Sequence, residues 1–334
     1  MEVLIINHHE VRELLPMGEC IEAMADVFRI MAGGDVVQPL RWPLWLPDRS
    51  GLLGMMPGYV GGEMGMLGIK TVSVMPGNHG TPYDSHQGTV MLFEKVNGRL
   101  LTIMDASEIT AIRTAAVSGL ATRLLARDDA HDLAILGTGV QGRSHLAAML
   151  AVRPIDRVRV WSRNAEGLAN YAAWAKKTHG VEVEIMGDVQ TAVSGADLIC
   201  TTTAAPTPIL YGEWLAPGVH INAAGSSVKH TRELDTATVV MSRLFVDRRE
   251  STVNEAGDFL FPKQEGAVDD DHIVAEIGEL LMGEKNGRQT GDDITLFKSL
   301  GLAIEDIGAA HHIYEKAIAQ GKGTWVELGG TKEF

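Results

Sequence analysis

The chain has 334 residues, of which 45% are hydrophobic and 22% charged, an ordinary globular composition with length for two domains. Its formal net charge of −14 argues against nucleic acid or an anionic membrane as partner, yet leaves room for a small anion held by a local group of cations. Cys20 and Cys200 are its 2 cysteines and form no C-x-x-C, so neither a disulfide framework nor a thiolate metal site is expected. No apolar run reaches the roughly 18 residues of a membrane span and the first residues do not open a signal peptide, so a cytoplasmic location is expected.

Residues 3–6 form a short strand candidate. Ile21, Met24, Ala25, Phe28 and Met31 then mark the apolar stripe of a helix that Gly33-Gly34 ends. Residues 39–62 mix Pro and Gly with Trp42 and Trp45, a loop-and-strand texture. Arg41 lies between Leu40 and Trp42 and either snorkels to solvent or is reserved for an anion. Residues 68–74 alternate as a strand with Lys70 on the face of Val72 and Val74. This is either an edge strand with its lysine in water, or a lysine in a pocket whose lowered pKa lets it give or take a proton.

Pro76-Gly77-Asn78 and Gly80-Thr81-Pro82 punctuate a loop that leads to Ser85-His86-Gln87. A strand over 88–93 turns at Val96-Asn97-Gly98-Arg99 into a second over 100–104. Residues 110–116 open a helix with the stripe Val117, Leu120, Ala121, Leu124 and Leu125. Arg113 would lie in its first turn, where a cation opposes the helix dipole; it is either a surface residue or a local rule broken for function.

The second half begins with the apolar run Leu133 to Leu136, which enters Gly137-Thr138-Gly139-Val140-Gln141-Gly142 and a helix, followed by the alternating Arg157-Val158-Arg159-Val160-Trp161. Strand, G-x-G-x-x-G turn, helix and strand in this order predict a dinucleotide-binding βαβ unit. The glycines allow the tight turn, the approach of the pyrophosphate and close helix–strand packing. The second strand ends in Ser162-Arg163-Asn164 where an NAD site usually has an acid. A hydroxyl and a guanidinium suit a 2′-phosphate, so NADP(H) is preferred and NAD(H) possible.

Further strands at 181–185, 198–203, 219–224 and 244–247, with helical stretches between them, predict a parallel sheet over about 115–300. Thr202, Asn222 and Gly225, at strand carboxyl ends, are placed to touch the cofactor. Asp269-Asp270-Asp271-His272 is read as the acidic start of a helix rather than a metal site, and no metal is expected. No H-E-x-x-H or G-x-S-x-G occurs, so hydrolase chemistry has no support. A strand over 294–299 turns at Gly301 into a helix to about 320.

Four stretches together resemble one family: Gly68-Ile69-Lys70 through Asn78, Ser85-His86-Gln87, Thr110-Ala111-Ile112-Arg113-Thr114-Ala115-Ala116, and Leu296-Phe297-Lys298-Ser299-Leu300-Gly301 with Glu305-Asp306. With the glycine turn between them, the chain is similar to the ornithine cyclodeaminase/mu-crystallin family over nearly its whole length. The resemblance implies an α/β protein with a Rossmann-type doubly wound parallel sheet over 115–309. A second, strand-rich α+β domain, 1–114 plus 310–334, would carry substrate and homodimer contacts.

It further implies that Arg41, Lys70 and Arg113 bind a substrate carboxylate, with Lys70 and Arg113 catalytic. Ser85, His86 and Ser299 would lie near the cofactor, joined there by Val140, Gln141 and Ala224, and Glu255 would lie in the substrate pocket. True cyclodeaminases carry Gly-x-Asp after the Asn-Ala strand; here Gly225-Ser226-Ser227 puts Ser227 at the Asp position. A hydroxyl cannot act as a carboxylate base, so the chain looks closer to the ketimine reductase/mu-crystallin side. The expectation is NAD(P)H-dependent reduction of a small 2-imino acid to an L-amino acid. The alternatives are NAD+-dependent conversion of ornithine to proline, and a non-catalytic protein binding NADP and a small anion.

Overall fold

The computed structural model describes residues 2–78, 81–330 and 332, so Gly80 of the expected Gly80-Thr81-Pro82 turn lies outside the described residues. The chain divides into two compact units, Met1–Arg113 with Leu302–Phe334, and Thr114–Gly301. The first begins with β1 (Glu2–Ile6), α1 (His8–Leu14) and α2 (Met17–Ala32), then β2 (Val36–Val37), β3 (Trp42–Trp45), β4 (Leu52–Val60), β5 (Met66–Val74), β6 (His86–Glu94) and β7 (Leu100–Asp105). Asn7 and Glu10 form a capping box that fixes the start of α1 directly after β1. The long helix α3 (Ala106–Leu125) contains the unit boundary.

The second unit contains β8 (Asp132–Leu136), α4 (Val140–Val152), β9 (Arg157–Trp161), α5 (Ala165–His179), β10 (Val183–Ile185), α6 (Val189–Val193), β11 (Leu198–Thr201) and β12 (His220–Ala223). It continues through α7 (Thr236–Met241), β13 (Arg243–Val246), α8 (Arg249–Glu255), α9 (Gly257–Gln264), β14 (Ile273–Glu276), α10 (Ile277–Leu281) and β15 (Thr295–Lys298). Among the described residues these strands form an eight-stranded sheet in the order β10-β9-β8-β11-β12-β15-β13-β14, every pairing parallel. The order reverses between β8 and β11, the switch point at which doubly wound sheets take their ligands. Core strands such as β8 and β11 are buried through their apolar runs, Leu133 to Leu136 and Leu198 to Cys200, because helices cover both faces.

The chain returns to the first unit with α11 (Ala303–Gln320) and β16 (Thr324–Glu327). The sheet there runs β16-β1-β7-β6-β5-β4-β2, with β3 also on β4; β1 and β7 pair in parallel and the rest antiparallel. Helix α11 lies over β4, β5 and β6 and against α2. Its approach depends on two glycines that face each other across the β4–β5 ladder, Gly58 and Gly68. A Cβ at Gly68 would lie 2.7 Å from Ile307 Cγ1, and one at Gly58 3.0 Å from Ile307 Cδ1. The glycine pair is a notch for Ile307, and it fixes the height of the first turn of α11 above β5.

Three expectations need correction. Helix α3 starts at Ala106 rather than Thr110, because the Asp105 carboxylate accepts the Glu108 N–H at 2.8 Å and caps it. Arg113 therefore lies about two turns inside, and its conflict with the helix dipole disappears. The acids at 269–272 do not open a helix: a 3-10 turn, Asp270–His272, leads into β14, whose Ile273 and Ala275 are buried where it pairs with β13. Helix α11 belongs to the first unit from its start, with the boundary at Leu302 and not at 310, because Ile307 is seated in the sheet of that unit. Strand β16, which carries no alternation that pointed to it, pairs with β1. Gly68→Ala is expected to cost about 1–3 kcal/mol by overpacking, read by denaturant unfolding. In a double-mutant cycle, Ile307→Ala, costly alone, should remove most of that penalty.

Candidate active site

The first unit buries two cations and two acids together. Lys70 is carried by β5, which has neighbours on both sides, and it is 4% exposed, so it is a buried lysine and not one on a wet edge. Its Nζ lies 2.7 Å from Asp306 Oδ2. Arg113 donates from Nε to Asp306 Oδ1 at 2.8 Å and pairs through NH1 with Glu305 Oε2 at 2.6 Å. Glu305 and Asp306 are fully buried in the first turn of α11. Burial pushes the Lys70 pKa down to about 8 against the pull of Asp306, helped by the charges of Arg113 and Arg41.

Arg41, just before β3, is thus close enough for its charge to act on Lys70, and Arg41, Lys70 and Arg113 come together in one unit. His86, at the start of β6, has its Nδ1 3.0 Å from Ser85 Oγ. Partial desolvation and the charge of Lys70 lower the imidazole pKa. In the sequence, Glu305 and Asp306 stand within a family motif with nothing to mark their partners, since two acids at a helix start look like ordinary dipole partners.

In the second unit the glycine turn has the form that a dinucleotide needs. Gly137 has φ +121°, and a Cβ there would lie 2.7 Å from Thr202 Oγ1. A Cβ at Gly142 would lie 2.1 Å from the Gly137 carbonyl oxygen, whereas nothing stands within 4 Å of the Cβ position of Gly139. The outer glycines pack the turn, and the middle one leaves its outer side open to a pyrophosphate. Gly139 also precedes α4 without a side-chain cap, so Val140, Gln141 and Gly142 present first-turn amides. Thr202 adjoins this turn from the end of β11, its Oγ1 donating to the Leu136 carbonyl at 3.1 Å. At the tip of β9, Arg163 is exposed, Ser162 half-buried, and Asn164 caps α5 by accepting the Glu166 N–H. The turn fits NAD(P) on these grounds.

Asn222 departs from expectation. It is fully buried, and its Nδ2 donates to Thr122 Oγ1 at 2.9 Å, so its amide is spent inside the sheet and not offered at the strand tip. Ala224 and Gly225 continue past β12, and both N–H groups reach the Thr201 carbonyl. The unforeseen organiser here is Glu233, fully buried, which accepts the Thr203 N–H and Oγ1 at 2.6 Å each and the Gly225 N–H at 2.9 Å. Asp258 in turn holds the Glu233 and Leu234 amides and pairs with buried Lys298 at 2.8 Å. Carboxylates and an ammonium thus fix the loops after β11 and β12. The Ser299 hydroxyl, 2% exposed at the end of β15, has no hydrogen-bond partner among the described residues. Ser227 and Glu255, at the end of α8, are half-buried in the same unit.

Among the described residues no group of three or more His, Cys, Asp or Glu could hold a metal ion, and no helix is long and apolar enough to cross a membrane. Gly142→Ala is expected to lower dinucleotide affinity at least about tenfold, because a backbone oxygen cannot yield to the new methyl; fluorescence titration with NADPH measures it.

The model of the Ornithine cyclodeaminase/mu-crystallin family matches residues 1–321. A Delta(1)-pyrroline-2-carboxylate reductase of Bacillus cereus is 36% identical over 327 residues, 98% of this chain and 100% of that protein. The ketimine reductase mu-crystallin of Mus musculus is 40% identical over 295 residues, 88% of this chain and 90% of its own length. Among solved structures, the Thermococcus litoralis Delta(1)-pyrroline-2-carboxylate reductase in complex with NADH and L-proline superposes with a TM-score of 0.93 at 36% identity, covering 96% of this chain and 99% of that one. Motifs, fold and these likenesses agree: the chain belongs to the ornithine cyclodeaminase/mu-crystallin family.

Proposed function

We propose that this protein is an NAD(P)H-dependent reductase of small 2-imino acids, cyclic ketimines foremost, that forms L-amino acids. The observation that carries the reading is the burial of Lys70 and Arg113 with Arg41 beside them, an arrangement that costs desolvation energy and suits a small carboxylate. The relatives, by name reductases of Delta(1)-pyrroline-2-carboxylate and of ketimines, support the same class. Gly137, Gly139, Val140, Gln141 and Gly142 hold the pyrophosphate, and Thr202, Ala224 and Ser299 of the same unit serve the cofactor as well; the family resemblance assigns Ser85 and His86 to cofactor binding too. NAD(P)H, when bound, supplies the hydride for the imine carbon.

Arg41 and Arg113 clamp the carboxylate, which fixes the orientation of the reacting carbon. Lys70 Nζ bonds the same carboxylate and holds the proton that the imine nitrogen takes up. The family resemblance assigns Glu255 and Ser227 to substrate binding; the Ser227 hydroxyl is no carboxylate base, which disfavours ornithine cyclisation. Ser162, Arg163 and Asn164 favour NADPH through its 2′-phosphate. The exposed apolar side chains of β3, Trp42 at 65% and Leu44 at 52%, suit a homodimer contact.

A panel of cyclic imines headed by Delta(1)-pyrroline-2-carboxylate, and of 2-oxo acids with amines, assayed with NADPH and NADH, tests the reading. Turnover of none of them overturns it. Lys70→Met is expected to lose roughly 10–100-fold in kcat/KM with folding and cofactor binding intact, and near-normal turnover would remove Lys70 from the mechanism. Because the ammonium loses its charge as pH rises, wild-type kcat/KM should fall above pH about 8. Arg163→Ala should weaken NADPH about tenfold and leave NADH nearly unchanged, as read by the two KM values.

A further inference from the structure

Four buried groups of the first unit form one chain of contacts: Lys70 to Asp306, Asp306 to Arg113, and Arg113 to Glu305. Their charges cancel, and Arg41 adds one positive charge beside them. The two acids are neighbours in sequence, and Asp306 joins an ammonium to a guanidinium. Its Oδ2 faces Lys70 at 2.7 Å and its Oδ1 faces Arg113 Nε at 2.8 Å, so one planar group of fixed width sets the spacing between the two cations. Asp306 is in turn held by the first turn of α11, whose height over β5 is fixed by Ile307 in the notch of Gly58 and Gly68.

We propose that Asp306 is the positioning residue of the imino-acid site, bridging Lys70 and Arg113 at a set distance and supplying the counter-charge of the buried ammonium. Glu305 has a narrower task, the orientation of the Arg113 guanidinium. The inference rests on the reductase reading for its kinetic test, though not for its spectroscopic one. The groups that act on Lys70 are Asp306 from α11, Arg113 from α3, and Arg41 from the segment before β3. Thr110 Oγ1 lies 3.5 Å from Nζ, and His86 on β6 feels the charge of Lys70. Cys20 on α2 lies near Arg113 and Glu305, and burial pushes its thiol pKa up, so it stays neutral. Asp306 is the chief influence among them that favours the ammonium over burial and the two guanidinium groups.

Asp306→Asn keeps the shape and removes the charge. Loss of an opposite charge at this distance should move the basic limb of the kcat/KM profile from about pH 8 to lower pH by about 1–3 units. Glu305→Gln should leave that limb in place and raise KM for the imino acid. Asp306→Glu retains the charge with an altered reach, so its limb should stay near wild type while kcat/KM falls. The same shift is read without turnover by NMR titration of the Lys70 side chain in the full chain, with Lys70→Met identifying the signal. If Asp306→Asn folds, checked by its unfolding curve, and neither the limb nor the NMR titration moves, the inference is overturned. If Asp306→Asn does not fold, Asp306→Glu decides: an unmoved limb with reduced kcat/KM supports the bridge, and wild-type kinetics overturn it. Should wild type reduce no imine, the reductase reading fails, and the NMR comparison still decides the role of Asp306.

Discussion

The first unit is organised around a contact that hydrophobic packing alone would not produce. An ammonium and a guanidinium are buried with two carboxylates, linked in a row by contacts of 2.6–2.8 Å. Taking such groups out of water is costly, and an apolar set of equal volume would serve stability as well or better. The molecule limits the cost by pairing each cation with a carboxylate. The glycine notch on β4 and β5 belongs to the same construction, since it lowers α11 until its first-turn acids meet Lys70 and Arg113.

The second unit solves a different problem with backbone. A parallel sheet whose strand order reverses between β8 and β11 leaves a crevice at the strand carboxyl ends, and the turn after β8 lines it with amides. Glycine is needed there for contact distance: the carbonyl of Gly137 and the hydroxyl of Thr202 stand where side-chain carbons would be. Buried Glu233, Asp258 and Lys298 then hold the neighbouring loops through charge-assisted hydrogen bonds, alongside the packing of Leu210, Leu234 and Phe259 into the core.

Much of this was legible in the residues. The order strand, glycine turn, helix, strand is a local pattern, and it predicted β8, α4 and β9 and the parallel sheet around them. The stripe of α2 and the alternation of β5 are likewise local, so their elements followed from periodicity. Lys70 stood out because a cation on the apolar face of a strand is expensive. Less was legible where a signal had two readings. Acids at 269–272 look the same before a helix as before a turn and a strand, and the start of α3 hid in Asp105 because its cap lay before the motif that drew attention. Asn222 sat at a strand end, where alternation alone does not say which face a side chain takes.

By itself, the sequence determined most of the parallel sheet of the second unit and the strand-rich character of the first, and it marked Arg41, Lys70 and Arg113 as candidate cations. These depend on spacing along the chain, and spacing is fully written there. The tertiary structure alone decided which groups face those cations. Glu305 and Asp306 are about 190 residues from Arg113 in the chain, and only the packing of α11 onto the sheet brings them within hydrogen-bond reach. It also decided that Lys70 is paired rather than solvated and that Asn222 turns inward. Burial and long-range pairing are properties of the folded surface, and no local pattern of residues specifies them.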